Sequence, residues 1–505
     1  MKKTILTLAA VIVSAGGAAY AQSYAPDAYR FSQGNYGSTA RFKGMGGAQI
    51  GVGGDLSSLG GNPAGLGLFT KSEFSLTPEF NSANAQSSFL GTNTKDSKSQ
   101  LNLNNIGVVF YSPTYKAKGA DTQKGLVSAV FGVGYNRNND YLNQISYNGT
   151  NANSSIRDAF AEQANSFGTN GTLAGDAYNS YLINRNATNY PGGFSAEPYN
   201  NANFPQSWNE NRLGSTSEFN VAGALNFSNK FYLGGAISFV DVRYISDAFY
   251  SESGIANPFI EGTGGAAGFY EGNQNYTLNY IRNQETKGSG VNLKIGMIFR
   301  PVSELRIGLN FQSPTWMNVQ DNTNETLNAR VGSDTYNNNS QNYTFTYNLK
   351  TPLKASAGLS YVLAGRALLS ADVDYIDYST MRFSADGGSD IAAINQNNAD
   401  IKDFYKSTVN YRFGAEVKVT NEFSLRGGYG VNGSGIKGGD DSYYQGQYFT
   451  GGLGYRIDNY YFDLAYQNYK TNFSSSPYEL NDFSEPVADV KSTRQNVFLT
   501  FGVRF

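Results

Sequence analysis

The 505-residue chain carries 38 lysines and arginines against 40 aspartates and glutamates, and this near-neutral balance gives no basic surface that would attract nucleic acid. It contains no histidine and no cysteine, which excludes histidine-based catalytic triads, cysteine nucleophiles, histidine-ligated zinc and disulfide frameworks. Catalysis by a serine–lysine pair or by carboxylates stays open, but no motif supports it. We therefore expect no catalytic residue, no metal and no cofactor.

The first 21 residues have the features of a secretory signal peptide. Lys2 and Lys3 precede an apolar run from Ile5 to Val13, and small residues lead to Ala19-Tyr20-Ala21. A membrane anchor would need about 18 or more apolar residues, and no later stretch is long and apolar enough to cross a bilayer as a helix. We predict cleavage after Ala21.

A glycine-rich segment follows, and we predict that it forms a separate unit over residues 22–71. Its glycines cluster at 44–47, 51–54 and 60–65, a composition that suits a compact coil threaded where side chains have little room. A nucleotide-binding loop is the alternative interpretation. However, no GxxxxGK[ST] motif occurs and no βαβ pattern follows.

From residue 72 to 505, apolar and polar residues alternate with period two, which predicts β-strands with one apolar and one polar face. The clearest hairpin has apolar residues at alternate positions from Val291 to Phe299 and from Leu305 to Phe311, around a tight turn. With earlier strands near Phe74–Phe80, Leu103–Tyr111 and Leu126–Tyr135, the prediction is fourteen strands.

The lengths of the connections favour a membrane barrel over a soluble β-sandwich. Short turns are predicted at 228–230, 301–304, 363–366, 420–422 and 458–459. Long polar connections are predicted at 136–217, 246–289, 314–351, 379–405, 432–445 and 470–493. Short turns on one side and long loops on the other are typical of outer-membrane barrels, whose turns face the periplasm. The predicted fold is therefore all-β, a transmembrane antiparallel β-barrel.

Two further signals concern the first long connection and the C-terminus. Ser155 and Asp158 approximate a capping box for a helix that carries an apolar stripe. The stripe is formed by Ile156, Phe160 and Phe167. It either packs on the loops beneath it or lines a ligand groove. The last strand alternates and ends at the aromatic Phe505, which resembles the signal read by barrel-assembly machinery.

The run from Ala40 to Leu68 contains Gly-Met-Gly-Gly-Ala, then Asp-Leu-Ser-Ser, then Asn-Pro-Ala-Gly-Leu. This order resembles the N-terminal hatch of the FadL/TodX-type outer-membrane transporters of long-chain fatty acids and aromatic hydrocarbons. Downstream segments are similar too, at 305–314, 352–361, 372–375, 412–416 and 425–429. The similarity spans essentially the whole mature chain, and the family's fourteen strands agree with the number predicted from alternation.

The resemblance implies a Gram-negative outer-membrane barrel whose lumen is blocked by the hatch. Hydrophobic cargo would pass from an extracellular groove to a luminal site and leave sideways, beside a kinked third strand. The hatch motif falls on Asn62, Pro63, Ala64 and Gly65. Gly132 and Gly134, in the predicted third strand, suit such a kink, although they could equally be ordinary strand glycines.

Acyl chains need few polar contacts, because each buried methylene contributes roughly 0.8 kcal/mol. A carboxylate head would require a cation that points into the barrel. The alternation of the strands places four cationic side chains on the inward face: Lys294, Arg306, Arg412 and Arg426. Carboxylates lie on the same inward face, so the alternative role of these cations is to form structural ion pairs. The candidate substrate-binding residues are Ile156, Phe160, Phe167, Arg306, Arg412 and Arg426.

Other protein classes remain as alternatives. A general porin is disfavoured by the glycine-rich plug, and a haem receptor could use tyrosine ligands but has no histidine. An adhesin would be favoured only if the long loops bind a protein. The expected partners are a hydrophobic small molecule, outer-membrane lipid and the assembly machinery.

Overall fold

The computed structural model describes residues 24–34, 36–119, 121–186, 193–196, 203–260, 269–387, 391–438 and 440–505. The predicted signal peptide, 1–21, lies outside these ranges.

Within them, fourteen barrel strands form one antiparallel sheet, and four of the strands are interrupted. Their bounds are β1 Glu73–Phe89, β2 Thr92–Pro113, β3 Leu126–Asp140 with Asn143–Asn151, β4 Phe204–Phe227, β5 Phe231–Ala256, β6 Gln274–Phe299, β7 Leu305–Gln312 with Trp316–Val331, β8 Gln341–Lys350 with Lys354–Leu363, β9 Ala367–Asp377 with Arg382–Ala385, β10 Ser407–Lys418, β11 Phe423–Asn432, β12 Gly446–Ile457, β13 Tyr460–Ser475 and β14 Ala488–Arg504. Neighbours in the chain pair with each other, and β1 pairs with β14 from Glu73↔Arg504 to Ser88↔Asp489. The sheet therefore closes, and the predicted fourteen-stranded β-barrel is confirmed.

The wall of the barrel is apolar outside and polar inside. Along β6, Leu293 and Ile295 are 49% and 63% exposed, whereas Asn292 and Lys294 between them are 0% and 1% exposed. Exposed leucine, isoleucine and phenylalanine side chains recur at alternate positions on nearly every strand. A continuous apolar belt of this kind is stable in lipid and would aggregate in water.

Several predicted connections are strands in the structure. β5 and β6 run for 26 residues each and pair over their whole length, so most of 246–289 belongs to the wall. β1 and β2 likewise continue through the polar stretch 81–102 to a two-residue turn at Leu90-Gly91. The outward faces of these segments are largely polar, whereas inward side chains such as Ala85, Tyr250 and Leu278 are apolar and buried. The outward apolar alternation that marks the rest of the wall is therefore missing here. We call this end of the barrel the loop side and the opposite end the turn side.

Short helices and three smaller strand pairings complete the chain. The α-helices are α1 Ala25–Ser32, α2 Ala40–Gly44, α3 Ile156–Phe167, α4 Leu173–Asn179, α5 Ile391–Phe404 and α6 Asp441–Tyr444. The 3₁₀ helices are Leu56–Leu59, Pro63–Leu68 and Tyr378–Thr380. The smaller strands are Asn184–Asn186 with Gly193–Ser195, Phe259–Ile260 with Phe269–Tyr270, and Asp334–Asn337 against β7. No helix in the described part of the chain is long and apolar enough to cross a membrane.

Candidate functional site

The N-terminal segment lies inside the barrel and is hydrogen-bonded to opposite walls. The backbone N–H groups of Gln49 and Ile50 donate to Asp372 of β9, at 2.6 and 2.9 Å. On other walls, the Ala40 N–H donates to Thr500 of β14, and Lys294 of β6 donates to the Gly60 carbonyl. Residues 36–67 of this segment are almost entirely buried.

The hatch motif forms a capped 3₁₀ turn against the wall. The Asn62 side chain accepts from the Ala64 N–H at 3.1 Å and donates to the Ile50 carbonyl at 2.8 Å. Pro63 occupies the first helical position, where its missing N–H costs nothing. A Cβ at wall residue Gly234 or Gly296 would overlap this turn, so wall glycines make room for it. Gly65 lies in the same turn, beside Gly53.

The three arginines predicted to bind cargo form hydrogen bonds with other groups of the protein. Arg412 donates to Asp374 at 2.7 Å and to the Tyr448 hydroxyl at 3.2 Å, and it is 2% exposed. Arg426 bonds to two carboxylates, Glu416 and Asp463, each at 2.6 Å. The third, Arg306, donates to the Val52 carbonyl of the N-terminal segment at 2.7 Å. These contacts favour the alternative role in structural networks.

The predicted helix in the first long connection is confirmed. The Ser155 side chain accepts from the Arg157 N–H, and Asp158 accepts from the Ser155 N–H, which completes the capping box. Ile156 and Phe160 are 3% and 5% exposed within the apolar cluster on the loop side, and Phe167 is half-buried. The contacts favour packing, the first of the two roles considered for this stripe.

The irregularity in β3 does not lie at Gly132 or Gly134. Both glycines sit in an uninterrupted ladder with β2 and β4, and both leave space for Leu59 of the N-terminal segment. The register with β4 shifts at the start of the strand, between Leu126 and Ser128, and again between Arg137 and Asn139, and the strand is interrupted at residues 141–142. The two glycines are therefore explained by the packing of Leu59, the ordinary role that the sequence had left open, and not by a bulge at their own positions.

Above this irregularity, β3 separates from β2. The β2–β3 ladder ends at Asn105↔Asn136, and the upper part of β3 pairs with β4. Side chains bridge the break: Asn102 donates to Asp140 at 2.9 Å, and the Ser146 N–H and hydroxyl donate to Asp96 at 2.8 and 2.7 Å. We call this region, between 94–104 of β2 and 137–146 of β3, the wall break. Leu101 in it is 73% exposed on the outside, at the level of the apolar belt.

A luminal cavity of about 500 Å³ lies between α1 and the wall. Its lining includes residues 137–141 of the wall break, together with seven tyrosines from α1, α6, the strands β5 and β13, and the segments at the interruptions of β3 and β9 and before β10. These are Tyr29, Tyr141, Tyr244, Tyr378, Tyr405, Tyr444 and Tyr469. Amides and charged groups separate the rings, among them Asn104, Arg494 and Glu479. Sequence reasoning missed the site because its residues come from distant segments with no common motif.

The carboxyl group of Glu479, in a loop that lines this cavity, has a raised pKa. Burial raises the pKa of the Glu479 carboxyl, in the loop between β13 and β14, to about 8, and the nearby Glu485 carboxylate adds to this effect. The carboxyl therefore keeps its proton at neutral pH.

A closed fourteen-stranded barrel with an apolar belt and an N-terminal segment inside its lumen is a plugged β-barrel of the outer-membrane type. Solved structures agree. The toluene transporter TodX of Pseudomonas putida is 13% identical, with a TM-score of 0.52 over 93% of this chain and 99% of TodX. A FadL homologue of Pseudomonas aeruginosa is 11% identical, with a TM-score of 0.51 over 93% of this chain and 98% of its own.

The chain therefore has the FadL/TodX fold, as the sequence resemblance predicted. At these identities the likeness establishes the fold alone. No protein-family model and no curated protein sequence matches the chain.

Proposed function

We propose that this protein is a non-catalytic outer-membrane channel for hydrophobic small molecules, either long-chain fatty acids or aromatic hydrocarbons. Cargo binds in loop and lumen pockets and leaves sideways through the wall break into the membrane. The observation that carries the proposal is that the luminal cavity reaches residues 137–141, where β3 parts from β2. A pocket and an interruption of the wall thus share the same residues.

The plugged lumen supports sideways release over a straight path. We assign residues 22–71 as the hatch, since the described part of this segment bonds to walls on several sides. The neighbours of like fold include one described as a toluene transporter and one as a FadL homologue. Leu101 of the wall break is apolar and 73% exposed on the outside, which supports release of a hydrophobic molecule towards lipid, where it gains most on leaving.

The tyrosine lining suits cargo that is largely apolar but has an aromatic ring or a polar head. The seven tyrosines give the cavity an aromatic lining for aromatic or acyl groups, although several of the rings pack on one another, as Tyr29 does on Tyr378 and Tyr405. Burial of apolar surface contributes about 25 cal/mol per Å², so a ligand of modest size binds without a strong ionic contact. A polar saccharide layer on the cell surface blocks such molecules, and a lined passage removes that barrier.

Uptake by proteoliposomes tests the proposal. The purified mature protein should speed entry of labelled oleate or toluene while leaving the vesicles impermeable to sucrose. Swelling in sucrose would instead indicate a porin, and absence of both activities would favour an adhesin. A haem receptor, the second candidate because tyrosine can ligate iron, predicts a shifted Soret band on addition of hemin.

An outer-membrane location also implies two further partners, membrane lipid and the machinery that assembles barrels. The apolar belt contacts outer-membrane lipid, and β14, which ends one residue before Phe505, is the proposed signal for barrel-assembly machinery. Deletion of Phe505 should lower the amount of folded barrel in the outer membrane without changing cargo uptake per folded molecule.

A further inference from the structure

A second recess, of about 320 Å³, opens at the turn-side mouth of the barrel. It lies beneath the N-terminal segment, where Gly53 and Gly54 meet the lower ends of several strands. Among the described residues, none lines both this recess and the luminal cavity. The turn-side recess is thus a separate compartment on the other side of the plug.

The turn-side recess is strongly basic. Of the described residues that line it, seven are lysine or arginine and one, Glu416, carries a carboxylate. Arg41 and Arg426 share Glu416, at 2.9 and 2.6 Å, and Arg504 pairs with Glu73 at 2.7 Å. These three cations are neutralised by structural partners.

The other four cations have no such partner. In the described part of the chain, no carboxylate lies within 4.0 Å of the side-chain nitrogens of Arg306, Arg366, Lys418 or Arg456. The Nε of Arg306 is also buried without any hydrogen-bond partner. Four uncompensated cations around one small recess repel each other, and a bound anion would relieve that repulsion.

We propose that the turn-side recess binds the oxyanion head, carboxylate or phosphate, of a small amphiphile. Guanidinium groups match the planar geometry of carboxylates and phosphates and form charge-assisted hydrogen bonds with them. Leu68, Val362 and Leu368 line the same recess and give a short alkyl group an apolar surface. A volume of about 320 Å³ admits a small molecule or one lipid head group, and not a protein segment of any length.

Calorimetric titration of the purified mature protein with butyl phosphate, and separately with inorganic phosphate, tests this site. We expect both to bind, and butyl phosphate to bind more tightly. The double variant Arg366→Gln with Arg456→Gln should weaken binding by about tenfold or more, because it removes two charge-assisted hydrogen bonds to the anion. Neither residue is bonded to the N-terminal segment, so the plug should stay in place.

The matched control is Lys230→Gln, which removes a cation from another turn on the same side of the barrel but outside the recess. It should leave binding unchanged. Retention of slow, unheated migration in electrophoresis would show that each variant is folded, and if the double variant is not, the exposed Arg366→Gln alone carries the test. The proposal is overturned if neither anion binds, if the arginine variants bind as the parent does, or if Lys230→Gln weakens binding equally.

Nanodiscs distinguish the two sources of the anion. If the natural occupant is a lipid head group, butyl phosphate should bind more weakly in nanodiscs of phosphatidylglycerol than in nanodiscs of phosphatidylcholine. If the occupant is a soluble periplasmic anion, the two affinities should agree. Either result assigns the source, and both require the loss in the arginine variants.

Discussion

Glu416 joins the plug to the wall and gives the sharpest prediction about stability. Its carboxylate accepts two hydrogen bonds from Arg41 of α2, both at 2.9 Å, and one from Arg426 of β11 at 2.6 Å. The three side chains are 8%, 13% and 2% exposed. Glu416→Gln removes the negative charge and leaves two buried guanidinium groups facing a neutral amide.

Breaking a buried ion pair by removing one partner costs about 3–5 kcal/mol. Because glutamine keeps part of the hydrogen bonding, and Arg426 keeps Asp463, we expect about 3 kcal/mol. Glu285 provides a matched control, since it also joins two cations, Arg243 at 2.9 Å and Lys287 at 3.1 Å. These partners are 58% and 60% exposed, and exposed pairs contribute about 0–1 kcal/mol, so Glu285→Gln should cost less than about 1 kcal/mol.

Urea unfolding in detergent, followed by tryptophan fluorescence, measures both variants. Limited proteolysis within residues 24–71 should show in parallel that the plug loosens in Glu416→Gln and not in Glu285→Gln. Equal losses of stability in the two variants would refute the idea that the buried bridge holds the plug.

Three further predictions concern packing, capping and pH. Gly134→Ala should destabilise the barrel by about 1–3 kcal/mol, because a Cβ there would lie 2.7 Å from Leu59 and 2.9 Å from a backbone oxygen. Gly223→Ala, whose Cβ would meet only a backbone oxygen at 3.7 Å, should cost less in the same urea assay. Asn62→Ala should cost about 1 kcal/mol through loss of the cap, measured likewise and contradicted by an unchanged midpoint. The raised pKa of Glu479, about 8 against an ordinary 4.5, means that the loop between β13 and β14 loses stability as pH rises from about 4.5 to 8. Proteolysis of that loop should therefore be faster at pH 9 than at pH 6, and Glu479→Gln should abolish the difference.

The barrel was predictable because lipid imposes a simple rule on its wall. Residues such as Leu293 and Ile295 must face outward, so their alternation marks strands directly. The polar stretch 81–102 carries no such mark, since most of its outward side chains are polar, and the strands predicted at Phe74–Phe80 and Leu103–Tyr111 stop on either side of it. Its pairing is visible only once the neighbouring strand is placed.

The candidate site was less predictable because it is made by long-range contacts. The parity of Arg412 and Arg426 gave their inward direction correctly, but only the fold shows that Asp374 and Glu416 already bind them. The wall break has a weak signal, since Arg137 to Asp140 are polar residues in a strand that should face lipid on one side. These polar residues, and not the glycines before them, coincide with the register shift between Arg137 and Asn139.

Covalent closure of the wall break tests the central claim most directly. Because the chain has no native cysteine, Asn102→Cys with Asp140→Cys can be joined by a short thiol-specific cross-linker across the break, where the native side chains meet at 2.9 Å. Ser207→Cys with Ser251→Cys, on paired positions of β4 and β5, is the control. We predict that cross-linking stops uptake of oleate or toluene in the first variant and not in the second. Undiminished uptake through a cross-linked wall break would contradict sideways release.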